Sequence, residues 1–331
     1  MQESMSPPGN VHAGRWGLNR IQWIFEAPNY QVGPVFLNKL GLQPLRLLLA
    51  NLGRRQAVVR ESDGDAAYKR DLSQSGFCVI ENFLPADVLA RVEEVYEAYR
   101  QAANVRRFEN KEGTGITWYE GIISRSRDFK AEASIILEAL GDNVRLLDLA
   151  SFVLGKRIKG PLDLGYQTLH CPPHERDDRD LEGVMHADRH FPCVKAFFFL
   201  NDNRVENGAY VYWRGSHKFT RKRVKYEWEL SVQRQRWIRD GSTDPKYGVF
   251  ERRRPRLSDA AISDMGIVET PIEAPKNSLV ISNNMGFHKR GVIQPGMTRK
   301  HIRILFYDYQ APLLGRLLKK VYKKWRDRER K

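Results

Sequence analysis

Residues 185–218 read MHADRHFPCVKAFFFLNDNRVENGAYVYWRGSHK, and the fold turns on this stretch. A short apolar run at 194–200 is followed by a cluster of Asn, Asp and Gly, then by a second apolar run at 209–213. Two runs of strand length split by turn-forming residues predict antiparallel strands. The same rhythm extends outward to 164–169 on one side and to 278–282 and 301–307 on the other. Nearer the front, a strand at 75–80 precedes Leu84-Pro85, and Pro85 suits the first turn of a helix. Beyond it Val88, Leu89, Val92, Val95, Tyr96 and Tyr99 recur at three- and four-residue steps, which gives that helix one apolar face. A helical front half and a strand-rich back half predict a mainly β protein with helical decoration. Its core is expected to be a double-stranded β-helix (jelly roll) flanked by α-helices.

His186 and Asp188 stand just before the run at 194–200, and His288 is expected at the end of the strand 278–282. Two imidazoles and one carboxylate can occupy one face of an octahedral iron(II) and leave three positions open. A 2-oxo acid fills two of these and dioxygen the third, so that decarboxylation produces an oxidant beside the substrate. The set contains no thiolate, which argues against structural zinc. Eleven residues after His288 comes Arg299, at the start of a strand whose alternation puts Arg299, His301, Arg303 and Leu305 on one face. An arginine in that position can grip the distal carboxylate of 2-oxoglutarate with two parallel hydrogen bonds. Arg303, on the same face, is a candidate partner for an anionic group on the substrate. Other histidines flank the site. His190, two residues beyond Asp188, is a ligand only in a shifted register, while His217 suits a turn and His301 the cavity border. The acidic cluster 175–182 reads as a solvated loop.

These residues resemble the phytanoyl-CoA dioxygenase-like group of 2-oxoglutarate oxygenases. The resemblance rests on GFCVIENFLPADVL at 76–89, on His186-Ala187-Asp188, on NDNRVENGAYVYWRGSHK at 201–218, and on His288 with Arg299; it spans roughly residues 70–310. It implies iron(II), 2-oxoglutarate and O2 as cofactors, with His186, Asp188 and His288 as metal ligands and Arg299 as the co-substrate anchor. Gln167 is similar in placement to a polar co-substrate or pocket residue of relatives. Asn207-Gly208 and Gly215-Ser216-His217 match a motif of the group, but Arg214 replaces its usual proline. Halogenating members carry a small residue in place of the carboxylate; Asp188 is present, which implies hydroxylation over halogenation, while desaturation, ring closure or oxidative cleavage can follow the same hydrogen abstraction.

The chain of 331 residues carries a formal charge of +15, and two segments account for all of it. Residues 218–256 hold thirteen Lys/Arg against five Asp/Glu, and residues 316–331 nine against two. The three cysteines, Cys78, Cys171 and Cys193, show no CxxC spacing, so neither a disulfide framework nor a zinc ribbon is indicated. No run of about 18 apolar residues and no signal-peptide pattern appears, and a cytoplasmic protein is expected. Three parts are predicted. Residues 1–70 form a partly helical extension facing membrane or substrate, and 71–311 the dioxygenase domain with a basic insert at 218–256. Residues 312–331 form a basic amphipathic helix. The insert reads as a basic, aromatic lid, with Arg221 and Arg223 as candidate substrate contacts, or as a solvated helix with an aromatic packing face. In the final helix an apolar stripe from Leu313 to Trp325 is crowded by lysines, the pattern of a segment lying on an anionic membrane. The expected substrate is anionic and amphiphilic or lipid-linked: an acyl thioester, a lipid head group or a lipid-linked acidic sugar. The competing reading is a nucleic-acid-binding protein or nucleic-acid oxygenase whose basic segments track phosphates. No recognised nucleic-acid motif supports it, and no specific nucleic acid is expected.

Overall fold

The computed structural model describes residues 33–52, 65–101, 106–108, 116–122, 133–177, 181–240, 256–266 and 268–306. The strands are β1 (Phe77–Ile80), β2 (Arg106–Phe108), β3 (Thr117–Ile122), β4 (Asp163–His170), β5 (Val194–Phe199), β6 (Tyr210–Trp213), β7 (Glu269–Ile272), β8 (Leu279–Asn283), β9 (His288–Arg290) and β10 (Thr298–Phe306). A seven-stranded sheet runs β1-β8-β5-β10-β4-β3-β2, and a three-stranded sheet runs β7-β6-β9. All pairings are antiparallel. This is the expected jelly-roll architecture, built from two facing sheets that do not close into a barrel.

Alternation along the strands of the large sheet divides the core in two. On one face Ala196 and Phe198 of β5, Leu279 and Ile281 of β8, and Ile302, Ile304 and Phe306 of β10 pack against helices. Those helices are Ala86–Gln101 and Val144–Leu154, which bury Val92, Tyr96, Leu146, Leu149 and Val153. Asn143 caps the second one by accepting from the Leu146 N–H. On the other face Phe77, Phe197, Phe199 and Val280 meet Tyr210, Tyr212 and Ile272 of the small sheet. The reactive centre lies at one end of this inter-sheet layer.

His288 departs from its expected place. The chain leaves β8 at Asn283, turns through residues 284–287, and enters the small sheet as β9, so His288 opens a strand of its own. Gly286 makes the corner possible: a Cβ there would stand 1.9 Å from the Tyr212 hydroxyl, which donates to the Asn283 carbonyl at 2.7 Å.

The basic insert is, where described, one long helix, Arg221–Asp240; residues 241–255 lie outside the described residues, as do 1–32 and 312–331. Two N-terminal helices, Val35–Lys39 and Leu42–Leu52, pack against it. The predicted boundary at residue 70 falls inside a further helix, Ala66–Gln74, which lies beside β1. Arg223 is buried under this assembly. Its guanidinium donates to the carbonyls of Ser216 and Met285, pairs with the fully buried Glu227 at 2.8 Å, and stacks 4.1 Å from the Phe287 ring. Glu227 in turn accepts from Gln43 of the N-terminal helix at 3.3 Å. Arg223 therefore ties both helical additions to the turn that carries His288.

Removing one member of a buried pair leaves the other charged without compensation. Arg223→Met is expected to destabilise the protein by about 3–5 kcal/mol, read as a lower urea midpoint. Arg223→Met with Glu227→Leu should recover a large part of that loss. Equal loss in the single and double variants would show that the Ser216 and Met285 contacts matter more than the ion pair.

Candidate active site

His186 sits in an extended segment before β5 and forms an antiparallel bridge to His288 alongside β9, at the edge of the small sheet. Their backbones exchange hydrogen bonds, His186 N–H to His288 O at 2.9 Å and His288 N–H to His186 O at 2.8 Å. The rings stand side by side, centroids 4.5 Å apart. His186 Nδ1 lies 2.8 Å from the Val184 carbonyl and His288 Nδ1 lies 3.0 Å from the Gly286 carbonyl. A carbonyl can only accept, so each Nδ1 carries the proton and each Nε2 presents a lone pair. Asp188 completes the set: Oδ1 is 3.8 Å from His186 Nε2 and Oδ2 is 3.6 Å from His288 Nε2. One nitrogen from each histidine and one carboxylate oxygen fall within 4.8 Å of one another. Two neutral imidazoles and a carboxylate with lone pairs converging on one point match the facial donor set of non-haem iron(II), and the backbone carbonyls on Nδ1 orient the rings for it.

Asn284 and Lys195 hold the carboxylate, and the sequence reading found neither. Asn284 donates to Asp188 Oδ2 at 3.1 Å and its amide lies 3.0 Å from His288 Nε2, while Ser282 donates to the Asn284 side-chain oxygen at 2.7 Å. Lys195 Nζ pairs with Asp188 Oδ2 at 2.8 Å. Asp188 Oδ2 is thus engaged by two donors. A signal for Lys195 was present: it alternates with Phe197 and Phe199 in β5, so a cation points into the layer between the sheets. Asn284 sits in a corner that strand periodicity does not describe.

His186, His288 and Lys195 line a cavity of about 180 Å³ whose walls also carry Gln167, Arg299 and Arg303. Strand β10 behaves as its alternation predicts, with Ile302, Ile304 and Phe306 on the helix side and Arg299, His301 and Arg303 on the other. Buried Arg299 donates to the Gly208 carbonyl. Gly208 has φ +80°, and a Cβ there would approach Ile293 to 2.6 Å, so glycine is required at this contact. The Gln167 side-chain oxygen can only accept, so His301 Nε2 carries the proton and donates to it at 3.0 Å. The Gln167 amide donates to Glu120 at 3.2 Å. Arg303 makes a single 3.3 Å contact with Asp163 at the cavity rim.

Several expectations need correction. Arg223 is buried in the fold as described above, and Arg221 is exposed on the same helix, next to separate hollows of about 430 and 440 Å³. Neither reaches the cavity that holds His186 and His288. The cluster 175–182 is more than a solvated loop. Asp177 is buried, accepts from both guanidinium nitrogens of Arg290 and takes the Ile293 N–H at 2.8 Å. Glu182 lies 3.7 Å from His186 Nε2 and accepts from buried Arg256 at 3.3 Å. His190 packs edge-on against Phe191, outside the metal-facing group. His217 bonds to the Ser73 carbonyl at 3.1 Å, and Arg214, in place of proline, donates to Ser75 Oγ at 3.0 Å; both tie the turn after β6 to the end of the Ala66–Gln74 helix. All three cysteines are buried, and none forms a disulfide.

The family model described as phytanoyl-CoA dioxygenase (PhyH) matches residues 72–244, just over half of the chain. The protein belongs to the phytanoyl-CoA dioxygenase family. It is an oxygenase of the iron- and 2-oxoglutarate-dependent class. No curated protein matches the chain in a sequence search. Among solved structures, it is similar to the epimerase SnoN in complex with Fe3+, alpha ketoglutarate and nogalamycin RO, at 12% identity and a TM-score of 0.51, covering 75% of this chain and 85% of that one. AviO1 from Streptomyces viridochromogenes Tue57 aligns at 17% identity over 76% of this chain and 99% of its own, with a TM-score of 0.48. EctD from S. alaskensis, with bound Fe, aligns at 13% identity over 72% and 75%, with a TM-score of 0.45. At these identities the likeness speaks for the fold alone.

His186→Ala and His288→Ala are each expected to abolish iron(II) binding, measured anaerobically by titration, whereas His190→Ala keeps it. Loss in His190→Ala with retention in His186→Ala would shift the ligand register. Burial, as the largest cause, holds His186, His190 and His301 well below the ordinary histidine range and lowers His288 as well. The neighbouring His288, Arg46 and Arg299 add to the depression of the first three in turn. Below about pH 6.5 the unfolded chain therefore binds more protons than the folded one, and stability falls as pH falls. In chelator-treated protein the loss should approach about 1.4 kcal/mol per pH unit for each such histidine, followed by urea midpoints between about pH 7 and pH 5. A flat profile would place these rings in contact with solvent.

Proposed function

We propose that His186 and His288 through Nε2, and Asp188 through Oδ1, hold iron(II), that Arg299 grips the distal carboxylate of 2-oxoglutarate, and that the protein hydroxylates an anionic, amphiphilic or lipid-linked substrate at a membrane surface. The observation that supports the site assignment is the convergence of three lone-pair donors, two of which, His186 and His288, line a cavity whose wall also carries buried Arg299. Iron with 2-oxoglutarate and dioxygen supplies a one-electron oxidant able to remove hydrogen from an unactivated carbon. The chain's own residues do the rest. Lys195 and Asn284 fix the carboxylate, the Val184 and Gly286 carbonyls fix the imidazoles, and buried Phe197 and Tyr210 keep water from the reacting atoms. Gln167 and His301 form a hydrogen-bonded wall beside Arg299. Arg303, with only one long contact to Asp163, has N–H groups to offer an anion at the rim. Acyl thioesters, lipid head groups and lipid-linked acidic sugars all present such an anion. The basic, apolar-striped sequence at 312–331 supports action at an anionic membrane.

Anaerobic titration with iron(II) and 2-oxoglutarate, then a succinate-release screen over acyl-CoA, anionic-lipid and lipid-linked acidic-sugar candidates, tests this reading. Arg299→Ala is expected to raise the 2-oxoglutarate requirement by roughly a hundredfold, the loss of charge-assisted hydrogen bonds of about 3 kcal/mol. Arg299→Lys should also be impaired, since a point charge lacks the bidentate fork. An unchanged requirement would move the anchor elsewhere. Succinate release by neutral substrates only would overturn the substrate class.

A further inference from the structure

The helices that buttress the His288 turn from behind present a second, unassigned face. Residues 33–52 contain no Asp or Glu. The Leu42–Leu52 helix buries Leu42, Gln43, Arg46 and Leu47 against the protein and turns Leu45 outward at 41% exposure; Leu40, in the turn before it, is 81% exposed. Facing them across the helix junction, Phe219 and Trp228 are each 40% exposed. Between these elements lies a shallow hollow of about 440 Å³ lined by Pro44, Phe219, Val224 and Trp228, with Arg221 and Lys225 on its rim. Large exposed apolar side chains gathered in one place are uncommon on a protein that meets only water.

Two further features say what meets this face. Trp228 is pinned, its indole N–H donating to the Lys39 carbonyl at 2.9 Å. A tryptophan fixed with its ring half exposed is an amphipathic anchor that loses little freedom on entering a lipid interface. The surrounding charge is mainly positive: Lys39, Lys218, Arg221 and Lys225 are exposed, and Glu229 lies 3.9 Å from Lys225. A second copy of the chain would set cations against cations here. So would the chain's own 312–331 segment, which carries nine Lys/Arg against two Asp/Glu. A surface of anionic head groups over an apolar interior complements both the rim and the floor.

We infer that the face formed by Leu40, Leu45, Phe219 and Trp228 within its ring of lysine and arginine is a docking site for an anionic lipid bilayer. The inference rests on the reading of a membrane-surface enzyme and assigns the contact to the folded domain, independent of residues 312–331. Because the same helix holds Arg223, docking there seats the bilayer against the assembly that braces the His288 turn.

The test is co-sedimentation of the full chain with phosphatidylcholine vesicles, with or without roughly a third phosphatidylserine, at low and high salt. Leu40→Asp with Leu45→Asp removes apolar floor, and Lys218→Glu with Lys225→Glu reverses the rim. All four residues are exposed, and unchanged iron(II) affinity confirms that each variant is folded. Wild type should bind the anionic vesicles and release them with salt, each variant should bind at least tenfold more weakly, and a chain ending at Pro312 should keep binding that the face variants abolish. Vesicle binding that is indifferent to these substitutions, that vanishes only with the C-terminal segment, or that is absent altogether overturns the assignment. So does a wild-type oligomer that Leu40→Asp dissociates, which would make the face a contact between copies. Succinate release from a lipid-linked substrate in detergent micelles is a separate readout. Turnover there without vesicle binding sinks the docking face alone, and vesicle binding without such turnover sinks the substrate class alone.

Discussion

Two backbone hydrogen bonds between His186 and His288 couple segments about a hundred residues apart in sequence, and the reactive centre depends on them. Side-chain ligands a few tenths of an ångström out of place bind metal poorly, so the imidazoles must be positioned by something stiffer than their own torsions. The bridge supplies that stiffness by making the two Cα atoms partners in an antiparallel pair. Each ring is then oriented by a carbonyl two residues earlier in its own segment, Val184 for His186 and Gly286 for His288. Asp188 is locked to the same framework, because its N–H donates to the Asn284 carbonyl at 3.0 Å while the Asn284 amide reaches its carboxylate.

Buried ions support this framework from two sides. Arg223 with Glu227 grips the turn at Met285, and Arg290 with Asp177 grips the far end of β9. Ion pairs of this kind add little net stability compared with apolar packing, but they tolerate few alternative arrangements once formed. Their place on either side of His288 suggests positional control as their role. The Gly208 carbonyl performs a similar service for Arg299, linking its guanidinium to the Asn-Gly turn between the sheets.

Much of this was legible in the sequence. The apolar runs at 164–169, 194–200, 209–213, 278–282 and 301–307 became β4, β5, β6, β8 and β10 with edges moved by no more than a few residues. The face assignment of β10 followed from period-two alternation alone. What escaped has physical reasons. β9 is three residues long and bears His288, Lys289 and Arg290, so no hydrophobic pattern marks it. β3, which brings Trp118 and Glu120 to the cavity, mixes polar and aromatic residues with a glycine. The burial of Arg223 could not be separated from that of a solvated lid arginine, because a run of basic residues on a helix does not reveal which of them meets a carbonyl cage. Asp177 and Glu182 were likewise hidden in an acidic stretch whose partners lie more than seventy residues away.

The pairing of β1 with β8 joins Phe77 to Ser282 and Ile80 to Leu279, and this places a demand on how the chain is made. During synthesis β1 emerges first and has no partner until some two hundred further residues have followed. The N-terminal helices wait as long for the turn at Met285 that they brace. His288 leaves the ribosome close behind that turn, and Arg299 soon after. A half-made chain therefore holds His186 and Asp188 without the ring that completes their cluster, exposing apolar strand edges in the meantime. Assembly of the cluster is in this sense a late event, confined to chains whose synthesis is almost finished.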